Sequence, residues 1–212
     1  MPSITTMGDP VYDNSLPNGV KIHIGVLPGD MDAFTESAEN LFRRCDPRPN
    51  ILGKSIDIKD YETVLEGTDW VLRKEESSRN SYHSYSQRKR NNEPCAIQGN
   101  IAYRISYEEM KTHISNEDTL HFMLELPLDI TFEMGELEVA ASREELSYNK
   151  QTIDAIIKKF TQVHKEVVVD VIPELFDGCA NMWEATCKLA ELRESIDNNS
   201  YNKMIQSMAT FD

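Results

Sequence analysis

Met134-Gly135-Glu136-Leu137-Glu138-Val139-Ala140-Ala141-Ser142-Arg143-Glu144-Glu145-Leu146-Ser147-Tyr148-Asn149-Lys150-Gln151-Thr152-Ile153-Asp154-Ala155-Ile156-Ile157-Lys158-Lys159 is the stretch on which the fold turns. Two signals stand side by side in it. Ser142-Arg143-Glu144-Glu145 has the spacing of a capping box. The Ser142 hydroxyl is placed to accept from a first-turn backbone N–H, and Glu145 to reach back to the Ser142 N–H. That spacing predicts a helix start at 142–145. Such a start presents unpaired N–H groups and a partial positive charge, a natural seat for phosphate. Farther on, Ile153, Ile156, Ile157, Phe160, Val163, Val167 and Val171 recur at three and four. This is the period of an amphipathic helix, which predicts a long one from about residue 150. Pro173 is expected to end or kink it, because proline has no N–H and its ring meets the preceding turn.

Toward the N-terminus the period changes. Val20, Ile22, Ile24 and Val26 alternate with Lys21, His23 and Gly25, which predicts a half-buried strand closed by Pro28-Gly29. Asp30 is placed to cap a helix over about 31–45, with Phe34, Ala38, Leu41 and Phe42 on one side. Pro47 and Pro49 stop it. Ile51 to Ile58, Thr68 to Arg73 and Cys95 to Ile105 read as strands, and residues 119–134 as two more, parted near Pro127. Residues 74–93 are polar with no periodic apolar set, and read as a mobile loop. Residues 1–18, with Gly8, Pro10 and Pro17, read as a loose leader. A second C-terminal helix is expected over about 179–196, carrying Met182, Trp183, Thr186, Leu189, Ala190 and Arg193. The order strand, helix, several strands, helices predicts an α+β fold, a mixed sheet covered by helices. The expected division is a flexible leader (1–18), an α+β domain (19–148) and a helical segment (149–212).

The chain has 212 residues, 40% of them apolar, enough for a real core. Its formal net charge of −14 works against nonspecific binding to nucleic acid or to anionic lipid. Against that background Arg88-Lys89-Arg90, with Tyr82 and Tyr85 nearby, reads as part of a solvated loop rather than a nucleic-acid contact. No apolar stretch approaches the roughly 18 residues that span a bilayer. Met1-Pro2-Ser3-Ile4 is not a basic segment leading into an apolar run. These features predict a cytoplasmic location and leave peripheral attachment to a membrane open. Cys45, Cys95, Cys179 and Cys187 form no Cys-x-x-Cys pair, and the histidines are scattered, so free thiols and no zinc site are expected.

Arg143 sits where the predicted helix dipole disfavours a cation. Glu136, Glu138 or plain solvent is the simplest compensation. A resemblance points elsewhere. Ala141-Ser142-Arg143-Glu144-Glu145-Leu146, followed by Asn149-Lys150 and an amphipathic helix, is similar to the catalytic loop in the middle domain of the ninety-kilodalton heat-shock chaperones. In that family the arginine reaches the γ-phosphate of ATP held by a separate N-terminal domain. The resemblance implies a catalytic role for Arg143, with Ser142, Ser147 and Lys150 beside it at the phosphates. The family has glutamine where this chain has Ser147.

Three segments also resemble the phage rIIA family, GHKL-type ATPases linked to control of lysis and to protection against prophage-encoded exclusion. They are Asn18-Gly19-Val20-Lys21-Ile22, Arg48-Pro49-Asn50-Ile51-Leu52-Gly53 and Gly135-Glu136-Leu137-Glu138-Val139-Ala140-Ala141-Ser142-Arg143-Glu144. The likeness runs over about 18–170. It implies a transducer-like second module, containing a βαβ unit, in the cytoplasm of an infected host cell.

The nucleotide pocket itself is not written in this sequence. A GHKL pocket needs a helix with Glu and Asn, an Asp-x-Gly-x-Gly and a Gly-rich lid. Glu36-Ser37-Ala38-Glu39-Asn40 imitates the first, but no Asp-x-Gly-x-Gly follows. There is no Walker A or Gly-x-Ser-x-Gly sequence either. The chain is therefore expected at most to contribute to an ATPase, with ATP and Mg²⁺ held by a partner domain or chain. The competing expectation is a non-enzymatic phage protein that binds a host or phage partner through its C-terminal helices, where Met182 and Trp183 lie.

Overall fold

Strands β1 (Thr63–Glu66), β2 (Trp70–Arg73), β3 (Cys95–Gln98), β4 (Ile101–Arg104) and β5 (Leu128–Phe132) form one sheet in the order β1-β2-β5-β3-β4. The computed structural model describes residues 22–45, 47–53, 56, 58–74, 93–114, 120–196, 201–202 and 204–205. The expected leader, residues 75–92 of the expected loop and the end of the tail lie outside the described residues. β3 and β5 pair in parallel and the other neighbours antiparallel, so the sheet is mixed and the class is α+β.

Register sorts the sheet into two faces. Trp70, Ile130, Ala96 and Tyr103 pair across four strands, and all are buried. The long helix packs into the same core. This is α3 (Lys150–Glu166), which buries Ile153, Ile156, Phe160 and Val163. Its start and period match the expectation. Core residues run from Leu65 to Met204 in one cluster, so the strands and the C-terminal helices share a single interior.

The other face is charged. Val71, Asp129, Cys95 and Arg104 pair across it. Helix α1 (Met31–Phe42) leads directly to Arg43 and Arg44, and Arg44 reaches Asp129 at 2.8 Å. Arg73 meets the same carboxylate at 3.0 Å. The guanidinium carbons of Arg43, Arg44 and Arg73 stand 4.4, 4.6 and 4.7 Å from the Tyr61 ring centre. Stacking on one ring lets these cations lie close while Asp129 offsets their repulsion.

Two polar ties fasten α3 to the β1–β2 hairpin. Lys159 pairs with Asp69 at 2.7 Å. Glu166 accepts from the Thr68 N–H at 2.8 Å, the Thr68 hydroxyl at 3.0 Å and the Trp70 indole N–H at 3.0 Å. Gly67 permits this approach, since a methyl there would overlap the indole and stand 2.6 Å from Glu166 Oε1. Burial alone would raise the Glu166 pKa; the three hydrogen bonds outweigh it and hold the carboxyl below its ordinary 4.5. A depressed carboxylate stabilises the fold fully above its unfolded value and loses that contribution as pH falls through the folded one. Glu166→Gln is therefore expected to melt below wild type at neutral pH, by at most about 1 kcal/mol because the group is largely solvated. The gap should close on acidification below about pH 4, and melting curves across that range would reveal a constant gap if the tie were not ionic.

Several expectations need correction. Residues 22–27 form no strand, and Ile22 and Ile24 are 76% and 62% exposed. Alternation makes a strand only where a partner supplies hydrogen bonds, and none does among the described residues. Asp30 gives no side-chain cap to α1, and Leu41 is exposed. The described part of 51–58 has no strand, and the hairpin begins at Thr63 instead. Only one strand follows Pro127. Before it, His121–Glu125 is a 3-10 helix with His121 to Leu124 buried.

Pro173 does not end the helix outright, and the regular α-helical pattern is instead interrupted just before it. After α3, Val167–Val171 widens into a π-helical turn, with the Ile172 N–H bonded to the Val167 carbonyl. Helix α4 (Ile172–Phe176) continues from it. The wide turn falls where proline cannot supply an N–H, which relieves the conflict within the helix. Helix α5 (Met182–Ser195) starts at Asn181, whose side chain accepts from the Glu184 N–H. It buries Leu192, with Ala185, Lys188 and Leu189 half-buried, and leaves Met182 and Trp183 exposed. Of the six residues named on this helix from the sequence, Leu189 is half-buried and the other five are exposed. Helix α2 (Tyr107–Met110) is a short turn behind β4.

Candidate functional site

Leu137 to Lys150 links the sheet to α3, and its path differs from a helix start. Val139 and Leu146 form an isolated antiparallel bridge. Around it the Ala140 N–H bonds the Glu145 carbonyl at 2.9 Å, and the Ser147 N–H the Glu138 carbonyl at 2.8 Å. Leu146 is buried and anchors the return limb. Residues between them make a tight loop, closed by the Arg143 N–H on the Ala140 carbonyl at 2.8 Å. The expected helix start at 142–145 is therefore absent, and with it the phosphate seat on those backbone N–H groups. Among the described residues Ser142 Oγ accepts only from the Glu144 N–H, at 3.4 Å.

The helix starts seven residues later. Asn149 is its N-cap, and Asn149 Oδ1 accepts from the Thr152 N–H at 2.9 Å. Asn149 Nδ2 donates to Glu138, and the Glu138 N–H donates to Thr152 Oγ1 at 3.0 Å. Asn149 and Thr152 tie the incoming loop to the helix as well as capping it.

Arg143 has φ of 60°, the one non-glycine residue with positive φ among the described residues. L-residues reach that region at a cost of order 1 kcal/mol. Arg143 is exposed, and its guanidinium makes no hydrogen bond or ion pair among the described residues. The acids offered as compensation are occupied elsewhere. Glu138 holds Asn149, and Glu136 Oε2 accepts from the Glu133 N–H at 2.8 Å. Ser142 and Lys150 are also exposed, while Ser147 is half-buried. The structure thus puts Ser142 and Arg143 together on the loop, Ser147 on its return limb and Lys150 at the first turn of α3.

Beside this loop lies a groove of about 480 Å³ against β4, lined among others by Glu93, Arg104, Tyr107, Glu144, Glu145 and Tyr148. Tyr148 crosses its floor. Its hydroxyl accepts from the Ser106 N–H at 2.6 Å and donates to the Arg104 carbonyl at 3.3 Å. Burial pushes the phenol up to about 12. Sequence reasoning did not find this groove, because Glu93, Arg104 and Tyr148 meet only through strand order.

Among the described residues no three His, Cys, Asp or Glu side chains converge as metal ligands. No helix among them is long and apolar enough to cross a membrane. All four cysteines are free. Burial pushes the Cys95 thiol up despite the nearby Arg44, which leaves it a packing group. Comparison with family profiles, with curated proteins and with solved structures gives no match.

Proposed function

We propose that this chain is a transducer-like module of an rIIA-like GHKL ATPase, presenting Arg143 to the phosphates of ATP held by another domain or chain. The biological setting of this reading is control of lysis, or protection against host or prophage exclusion. One observation carries it: an exposed guanidinium without a partner among the described residues, held on a backbone conformation that arginine rarely adopts. A guanidinium that no described residue engages, carried on a hydrogen-bonded hairpin, is suited to charge that develops on a transferred phosphoryl group. Ser147 and Lys150 follow Arg143 closely enough in the chain to support the same ligand. ATP and Mg²⁺ belong to the partner's pocket, and this chain's own share is the cation and its placement.

The test is contact. A photo-crosslinking residue in place of Ser142, introduced in the native host cell, is expected to label a segment bearing the GHKL adenine motif Asp-x-Gly-x-Gly. Labelling confined to segments without such a motif would remove the proposal.

A second reading has an observation of its own. Met182 and Trp183 on α5 are 81% and 76% exposed. Large apolar side chains held out together are a feature of partner-binding surfaces, and a non-enzymatic phage protein that binds a host protein would use them. Under that reading crosslinks gather at position 183 and not at 142.

A further inference from the structure

The two-residue turn Gly99-Asn100 fixes which backbone groups β4 offers. Gly99 has φ of 63° and Asn100 is not in the positive region, the pattern of a II′ hairpin turn. In such a hairpin the residues flanking the turn, Gln98 and Ile101, exchange both backbone bonds, and the pairs then alternate. The Ile105 N–H on the Pro94 carbonyl, at 2.9 Å, keeps the same parity. Ala102 and Arg104 therefore turn their N–H and C=O groups away from β3. β4 is the last strand of the sheet, so these groups face the groove, and both residues line it. Tyr148 takes the Arg104 carbonyl. Among the described residues no strand pairs with the remaining groups.

The groove's charge selects what it admits. Among the described residues that line it, Glu93, Glu144 and Glu145 stand against one cation, Arg104, while Glu108 is paired with Lys111. We propose that the free edge of β4 and the groove beside it bind an extended basic peptide segment of a partner protein, which adds as a strand and places Lys or Arg side chains among these glutamates. Main-chain bonds to Ala102 and Arg104 supply the docking, and the carboxylates choose the sequence. A second copy of this chain is disfavoured, because two such edges would bring like charges together. The inference does not depend on any role for Arg143.

The test uses the full chain and the labelled, end-blocked hexapeptide Val-Lys-Val-Lys-Val-Lys, followed by fluorescence anisotropy. Saturable binding is expected. The glutamate counterpart of the peptide, or the variant Glu144→Lys with Glu145→Lys, should weaken it about tenfold or more. Ala102→Pro should abolish it with little change in melting, since the lost N–H points away from β3. Should Ala102→Pro not fold, a peptide N-methylated at alternate residues removes the same bonds from the other side. No binding up to about 1 mM, equal binding of the glutamate or N-methylated peptides, or self-association that Ala102→Pro removes would overturn the proposal.

Discussion

Under the proposed reading, Arg143→Ala is expected to lower ATP turnover by the chain joined to an ATP-pocket partner about 10³-fold, the scale of a lost arginine finger. The fold should survive. The side chain makes no bond among the described residues, so its removal strips no packing or ion pair. Arg143→Lys keeps the charge but loses the planar fork, and should fall between the two. Ser142→Ala is a control near neutral in both stability and turnover, since Ser142 caps no helix and only touches the Glu144 N–H at 3.4 Å. The cap has moved to Asn149, and Asn149→Ala should cost about 1 kcal/mol of stability. Steady-state hydrolysis with melting curves alongside decides the matter. Wild-type turnover by Arg143→Ala would end the phosphate role, and unfolding would make Arg143 a structural residue.

Phe160→Ala should destabilise the chain by about 3–5 kcal/mol, a large part of the roughly 5–15 kcal/mol that holds a typical domain together. The ring is fully buried (0% exposed) on the face of α3 that meets the sheet. Its loss leaves a cavity where strands and C-terminal helices share one interior, so neighbours cannot close in without dragging both. Ile157→Ala, at a half-buried position of the same helix, should cost clearly less. Denaturant unfolding of the two variants measures the difference. An unchanged midpoint for Phe160→Ala would mean that this face does not pack as described.

The sequence was legible where the signal is local and repeated. Ile153, Ile156, Phe160 and Val163 announce α3 because a helix carries its own hydrogen bonds and needs only one buried stripe. Strands need partners, and there the reading held only in part. Thr68 to Arg73 carries β2, Cys95 to Ile105 carries β3 and β4, and β5 follows Pro127, but two other runs form no strand among the described residues. Ile22 and Ile24 alternate as a strand does, yet among the described residues nothing pairs with them. The apolar run before Pro127 is buried on every side, and such a run has no period to tell a strand from a 3-10 turn. At the candidate site Arg143 stood out by its neighbours in sequence. Its backbone geometry did not, because Ser142 and Glu145 match a capping box that the bridge between Val139 and Leu146 overrides. The capping pair Asn149 and Thr152 was equally visible, seven residues farther on. The free edge of β4 depends on the order of all five strands, which no short window contains.

The π-helical turn Val167–Val171 also sets a rule for length. A π turn holds about 4.4 residues where an α turn holds 3.6, so the chain carries close to one residue more than the path requires. Each later position is thereby rotated by about 100° relative to an uninterrupted α-helix. That rotation brings Ile172 inward behind Phe160 and Val163, while Val169 stays outside. Within the run of three valines, loss of one residue would remove the surplus and keep Ile172 in phase, at the expense of setting Pro173 in a tighter helix. The same loss anywhere in Ile153–Val163 would turn the later core residues out toward water. Insertions and deletions in this helix are therefore not equivalent by position, and the valine run is where the chain can change length with least damage to the interior.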